Sequence, residues 1–133
     1  MNNRVQQLRH WLILLALLAG IGACAGEAPA VFLSGPILEG SGSSGEVALD
    51  GAVMNAKGET AEYVQVTFIL YGADGKVLET ITQLVEGNGD IGTLESDEIG
   101  TFFVISDTPA DQIARIEYIL SYDDTSIGPE PLR

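Results

Sequence analysis

Carboxylates are the only side chains numerous enough here to do chemistry: 133 residues hold 19 Asp and Glu against 6 Lys and Arg, with one His and one Cys. Ser-His-Asp and Cys-His catalysis need an imidazole that titrates near neutrality, and zinc sites are built from Cys and His. The single histidine, His10, and the single cysteine, Cys24, both fall in the first, apolar stretch of the chain. The remainder therefore has no means of assembling these chemistries. Paired carboxylates can hydrolyse a glycosidic bond, and Asp90, Glu95, Asp97 and Glu98 are the candidates, but no aromatic platform accompanies them. Calcium needs only oxygen ligands, which Asn88, Asp90, Glu95, Asp97 and Glu98, or Asp123 and Asp124, could furnish. No D-x-D-x-D-G spacing organises these acids, so a solvated acidic surface is the simpler reading. The run Gly87-Asn88-Gly89-Asp90-Ile91-Gly92 matches G-x-G-x-x-G in form. No lysine follows it, and the flanking acids would repel a phosphate. The expectation is a non-enzyme with no metal and no cofactor.

Charge narrows the partners further. The chain carries a net −13, which repels phosphate backbones and argues against nucleic acid. All the acids lie beyond Gly26, while Arg4 and Arg9 precede the first apolar run. Without the first 23 residues, four basic residues face 19 acidic ones, a net −15.

Met1 to Ala25 has three parts: a polar start with Arg4, Arg9 and His10, an apolar core from Trp11 to Ile21, and a small-residue end. That order is the signature of an export signal. The 15 apolar or small residues from Trp11 to Ala25 fall short of the ~20 that span a hydrocarbon core as a helix. Ile21-Gly22-Ala23-Cys24 resembles the bacterial lipobox. The resemblance implies cleavage after Ala23 and lipidation of Cys24, with the membrane as the partner held by that residue. Two or three acyl chains, at ~0.8 kcal/mol per buried methylene, hold far more firmly than one. Ala25, rather than Asp, follows the cysteine, which implies the outer membrane in a diderm source and the outer leaflet of the cytoplasmic membrane in a monoderm one.

The rest of the chain must position any site. Residues 24–45 contain Pro29, Pro36 and the run Gly40-Ser41-Gly42-Ser43-Ser44-Gly45, a composition expected of a flexible tether. Within it, Ala30 to Leu33 is apolar enough for a first edge strand. Residues 46–124 alternate with period two. Val47, Leu49 and Val53 share a face, as do Val64, Val66, Phe68 and Leu70, and later Ile116, Tyr118, Leu120 and Tyr122. Asp74-Gly75 suits a tight hairpin, Lys76 to Leu84 returns as its partner with room for a bulge, and Ile99 to Ser106 forms another strand. Residues 86–92 read as a loop, with Leu94 plugging back into the core and a turn at 107–111. Phe68, Phe102, Tyr118 and Tyr71 read as packing residues. Residues 125–133, with Pro129 and Pro131, read as a disordered tail. The pattern predicts an all-β antiparallel sandwich of five or six strands, with a core containing Val66, Phe68, Leu70, Phe102, Val104, Ile116, Tyr118 and Leu120.

Val66-Thr67-Phe68-Ile69-Leu70-Tyr71-Gly72-Ala73-Asp74-Gly75-Lys76-Val77-Leu78 resembles the signature of the FxLYD domain, whose motif is Phe-x-Leu-Tyr-Asp followed by Gly-Lys and aliphatic residues. Gly72 stands where that name has Asp. Gly51-Ala52-Val53-Met54-Asn55 with Gly58 is similar to its G-x-V-x-N-x-x-G element, and Phe102-Phe103-Val104 to its late F-x-V strand. The resemblance covers Val47 to Tyr122 and implies an immunoglobulin-like fold, an envelope setting and no catalytic residues. The functional expectation is a lipid-anchored, non-catalytic module that binds or supports another envelope component, protein or polysaccharide. A calcium-stabilised adhesion-type module is the alternative, and a carboxylate-only glycoside hydrolase a more distant one. A partner could attach at an exposed sheet edge or through loops at one end of the sandwich.

Overall fold

Alternation of buried and exposed residues along each strand organises the molecule. The structure, a computed structural model, describes residues 29–133; the segment read as a signal, 1–23, and Cys24 lie outside the described residues. In β4 (Gln65–Tyr71) the odd residues are half-buried while Val66, Phe68 and Leu70 are wholly buried. β7 (Arg115–Tyr122) buries Ile116, Leu120 and Tyr122 and leaves Tyr118 only half-buried. With β5 (Val77–Leu84) and β8 (Thr125–Pro131) they form an antiparallel back sheet in the order β5-β4-β7-β8. The front sheet centres on β3 (Glu46–Asn55), which pairs along one edge with β6 (Ile99–Pro109). Its other edge is shared in succession by β1 (Val31–Leu33) and β2 (Leu38–Ser41). The sheets pack face to face over one apolar core, where the Phe68 and Phe102 rings meet at 5.8 Å between centroids. The architecture is an all-β sandwich of two antiparallel sheets. Among the described residues no helix is long and apolar enough to cross a membrane.

Both ends of the described residues differ in part from the sequence expectation. Within the stretch read as tether, Val31–Leu33 is the edge strand expected there, but the rest is structural as well: Val31 is fully buried, Ile37 nearly so, and β2 joins β1 along one edge of the front sheet. The Gly/Ser run is the turn of the β2–β3 hairpin. There Gly42 N–H donates to the Glu46 carbonyl and Ser44 N–H to the Glu46 carboxylate. Composition misled because glycine serves a positive-φ turn, here Gly45 at φ 88, as well as a flexible coil. Residues 125–131, read as disordered, form β8. Pro129 and Pro131 sit on an edge strand, where a missing N–H removes no ladder bond. Beyond it Leu132 N–H donates to Ile116 carbonyl, and Leu132 packs on the core.

The β4–β5 hairpin turns at Asp74-Gly75, with Gly75 at φ 78 and the Asp74 carboxylate accepting Lys76 N–H. The register shift between Leu70 and Tyr71 is the expected bulge. Val77 and Leu78 beside it are exposed, as is Leu84 at the other end of β5, while Ile81 packs on the core. The turn after β6 takes a single 3-10 helical turn, Ala110–Gln112.

Candidate functional site

Two of the acidic residues singled out by sequence, Glu98 and Asp123, hold loops with their carboxylates. Glu98 accepts N–H donors from Asn88 and Glu95, and these backbone bonds hold its carboxyl below the usual carboxylate range. Asp123 accepts Lys57 Nζ at 2.5 Å and Glu62 N–H at 2.9 Å. The lysine contact is the main cause of a lowered Asp123 pKa, and the same bond raises that of Lys57. Asp97 occupies a left-handed conformation, φ 64, and its N–H donates to the Asn55 carbonyl. Asp90 contributes its carbonyl to Thr93 N–H, and Asp124 lies in the β7–β8 turn. Among the described residues no group of three or more His, Cys, Asp and Glu side chains is placed to hold a metal ion. The 87–92 loop is also structural: Gly92 bonds to both Val85 and Val64, and Leu94 behind it is fully buried.

Asn55 ties these loops together. It is fully buried, and its Nδ2 donates to the carbonyls of Glu59, Leu94 and Glu95 at 2.9–3.0 Å while Oδ1 accepts Lys57 N–H. The sequence marks this residue only through its place in the G-x-V-x-N-x-x-G-like element, without showing what it bonds. Gly51 and Gly100 have comparable positional reasons. A Cβ at Gly51 would lie 2.6 Å from the Phe102 ring, and one at Gly100 would lie 2.5 Å from Val85 and 2.9 Å from the Glu86 carbonyl.

The gap between β5 and β6 closes at both ends. Glu86 and Thr101 exchange backbone hydrogen bonds at 2.8 Å, and the Glu79 carboxylate accepts the N–H groups of Asp107 and Thr108 at 2.9 and 3.0 Å. Desolvation is the largest single influence on Glu79 and opposes its ionisation; the donors together outweigh it and hold the carboxyl low. Near the Glu86 end, a cleft of about 500 Å³ opens between Asp50, Gly51, Gln83, Glu86, Thr101 and Phe103.

The outward face of the front sheet was not anticipated. Register aligns Phe32, Met54 and Ile99 in one row across three strands, and Ala52 with Thr101 in the next. Leu38, Asp50 and Phe103 follow, then Gly40, Ala48 and Ile105. Phe32, Leu38, Ile99, Phe103 and Ile105 are between 39% and 58% exposed, and Asp50 is the only charged residue in these rows. A sequence signal existed: Ile99 to Ser106 is apolar on both parities, with Phe103 beside Phe102 and Ile105 beside Val104. Contiguous apolar surface of this kind marks interaction sites on soluble domains.

No protein-family model matches the chain, and no curated protein matches its sequence. Solved structures are similar in shape. A crystal structure of a DUF1425 family member from Shewanella sp. pv-4 shares 13% identity at a TM-score of 0.47, covering 71% of this chain and 80% of that one. An X-ray structure of a structural-genomics target shares 13% identity at a TM-score of 0.40, covering 76% of this chain and 81% of that one.

Proposed function

We propose that this protein is a lipid-anchored, non-catalytic module of the cell envelope that binds another envelope component through the outward face of its front sheet. The observation that carries the reading is that face, with its five exposed large apolar side chains. Anchoring is supported by the three-part N-terminal segment and by Cys24 after Ile21-Gly22-Ala23. Because β1 begins at Val31, only six residues separate it from Cys24, and the seven Cα steps span at most ~25 Å. An anchored domain would therefore be held close to its membrane, with Phe32 among the first residues of the binding face.

The sandwich is read as FxLYD-like. The motif residues Phe68 and Leu70 are buried in β4, and Asp74-Gly75-Lys76 makes the hairpin turn. Gly51 and Asn55 occupy positions where no larger side chain and no other polar one serves: the first faces the Phe102 ring and the second bonds four backbone groups.

Fractionation tests the anchor. The wild-type chain should partition with membranes and have an intact mass that begins at an acylated Cys24, whereas Cys24→Ser should leave the membrane fraction. A wild-type chain that is soluble without detergent, or that keeps residues before Cys24, contradicts the reading.

A further inference from the structure

The front face and its neighbouring cleft together specify a partner. A sheet face is covered in folded proteins by a helix or by another sheet. Rows run along β6 from Ile99 to Ile105, which at 3.4 Å per residue is about 20 Å. That matches about 13 residues of α-helix at 1.5 Å each, or three to four turns with one apolar stripe.

Charge then separates the occupants. A second copy would bring an identical Asp50 to the same face, on a chain whose residues 24–133 carry −15. Anionic lipid would meet the same repulsion. Asp50 stands between Leu38 and Phe103, and the cleft that opens beside it adds Glu86, the Gln83 amide and the Phe103 ring. Two carboxylates next to an exposed aromatic ring suit an ammonium or guanidinium, which gains from both ion pairing and the ring face. Covering Asp50 without a cation would leave a charge desolvated and unpaired, which is strongly unfavourable.

We propose that the front face docks a basic amphipathic helix of a partner protein, whose apolar stripe covers Phe103 and Ile105 and whose Lys or Arg enters the cleft between Asp50 and Glu86. This rests on the reading of the face as a binding surface and is independent of the lipid anchor.

The test uses the full chain in phosphatidylcholine nanodiscs and a synthetic peptide of about 14 residues. Its leucines repeat at helical spacing and its lysines flank that stripe; a second peptide has glutamate at every lysine position. Anisotropy should show the lysine peptide binding at least tenfold more tightly. Phe103→Ser or Ile105→Ser should weaken it tenfold or more with the melting temperature unchanged. Asp50→Asn should weaken it several-fold, while Asp74→Asn, at the tip of the β4–β5 hairpin, should leave it unaltered. Equal losses from Asp50→Asn and Asp74→Asn would show attraction to bulk negative charge only and overturn the proposal. So would insensitivity to Phe103→Ser, a dimer that buries the face, or protection of the face by the lipid bilayer itself. A chain that stays out of the nanodisc contradicts the anchor alone, and the same titration on the free chain decides the docking proposal.

Discussion

The two outward faces of this sandwich are built to opposite rules. On the back sheet, cross-strand neighbours satisfy one another. Thr67 and Thr82 hydroxyls meet at 3.0 Å, Ser121 and Ser126 at 3.0 Å, and the Tyr71 hydroxyl donates to Glu117 at 3.2 Å. The Arg115 guanidinium lies 3.9 Å above the Tyr71 ring and also pairs with Glu117. Such pairs keep a sheet content in water. On the front sheet, Phe32, Leu38, Ile99, Phe103 and Ile105 stand exposed around a single Asp50. The excess of acid does not fall evenly: the rows of the front face hold one charged side chain, Asp50, whereas on the back sheet exposed large apolar side chains stand only at the ends of β5, at Val77, Leu78 and Leu84. A face that breaks the alternation of apolar-in and polar-out is the place to look for a partner.

The core common to both sheets sets the scale for breaking that contrast. Phe68→Ala should destabilise the domain by about 3–5 kcal/mol, read from the urea midpoint, because Phe68 is fully buried against Phe102. Asn55→Ala should cost about 3 kcal/mol, since the two amide hydrogens shared by three carbonyls and the acceptor of Lys57 N–H are lost at ~1 kcal/mol per bond. Hydrogen exchange should show the loss concentrated in residues 56–60 and 93–98. The two faces should then separate. Thr67→Val on the back sheet should cost up to about 1 kcal/mol, the value of a cross-strand pair. Ile105→Thr on the front should change stability by no more than about 0.5 kcal/mol while reducing binding of the lysine peptide. A large stability loss from Ile105→Thr would mean that the front face supports the fold.

Acid should act on the loops before it acts on either face. Glu46, Glu79, Glu98 and Asp123 all have folded pKa values held below their ordinary ones by hydrogen bonds, and at Asp123 chiefly by Lys57. A depressed carboxyl pKa contributes stability that is present above the unfolded value, about 4.3 for Glu and 3.9 for Asp, and is lost as pH falls through the folded value. The urea midpoint should therefore drop below about pH 4, and Glu98→Gln should flatten that drop. A midpoint unchanged between pH 5 and pH 3 contradicts this assignment.

The sequence makes β4, β7 and the hairpin at Asp74-Gly75 legible, because strict alternation fixes both the element and its buried face. It hides β2 and β8, since glycine and proline read as breakers until an edge position removes the need for their missing groups. The front face was half visible in the doubly apolar run from Ile99 to Ser106. What no local pattern carries is register. Phe32 and Leu38 join that run only because β1 and β2 align on β3 opposite β6. Among the acids, residue type alone does not single out Glu98 and Asp123, whose carboxylates bond to Asn88 and Glu95 and to Lys57 and Glu62 across loops.

Hydroxyl-radical footprinting of the full chain, compared between native envelope and purified protein, tests the contrast between the faces most directly. Phe103 and Ile105 report on the front sheet and Leu78 on the back hairpin, all three exposed in the isolated chain. Phe103 and Ile105 should lose reactivity in the envelope while Leu78 keeps it. Equal reactivity of all three in both settings, or protection of Leu78 alone, would contradict that contrast.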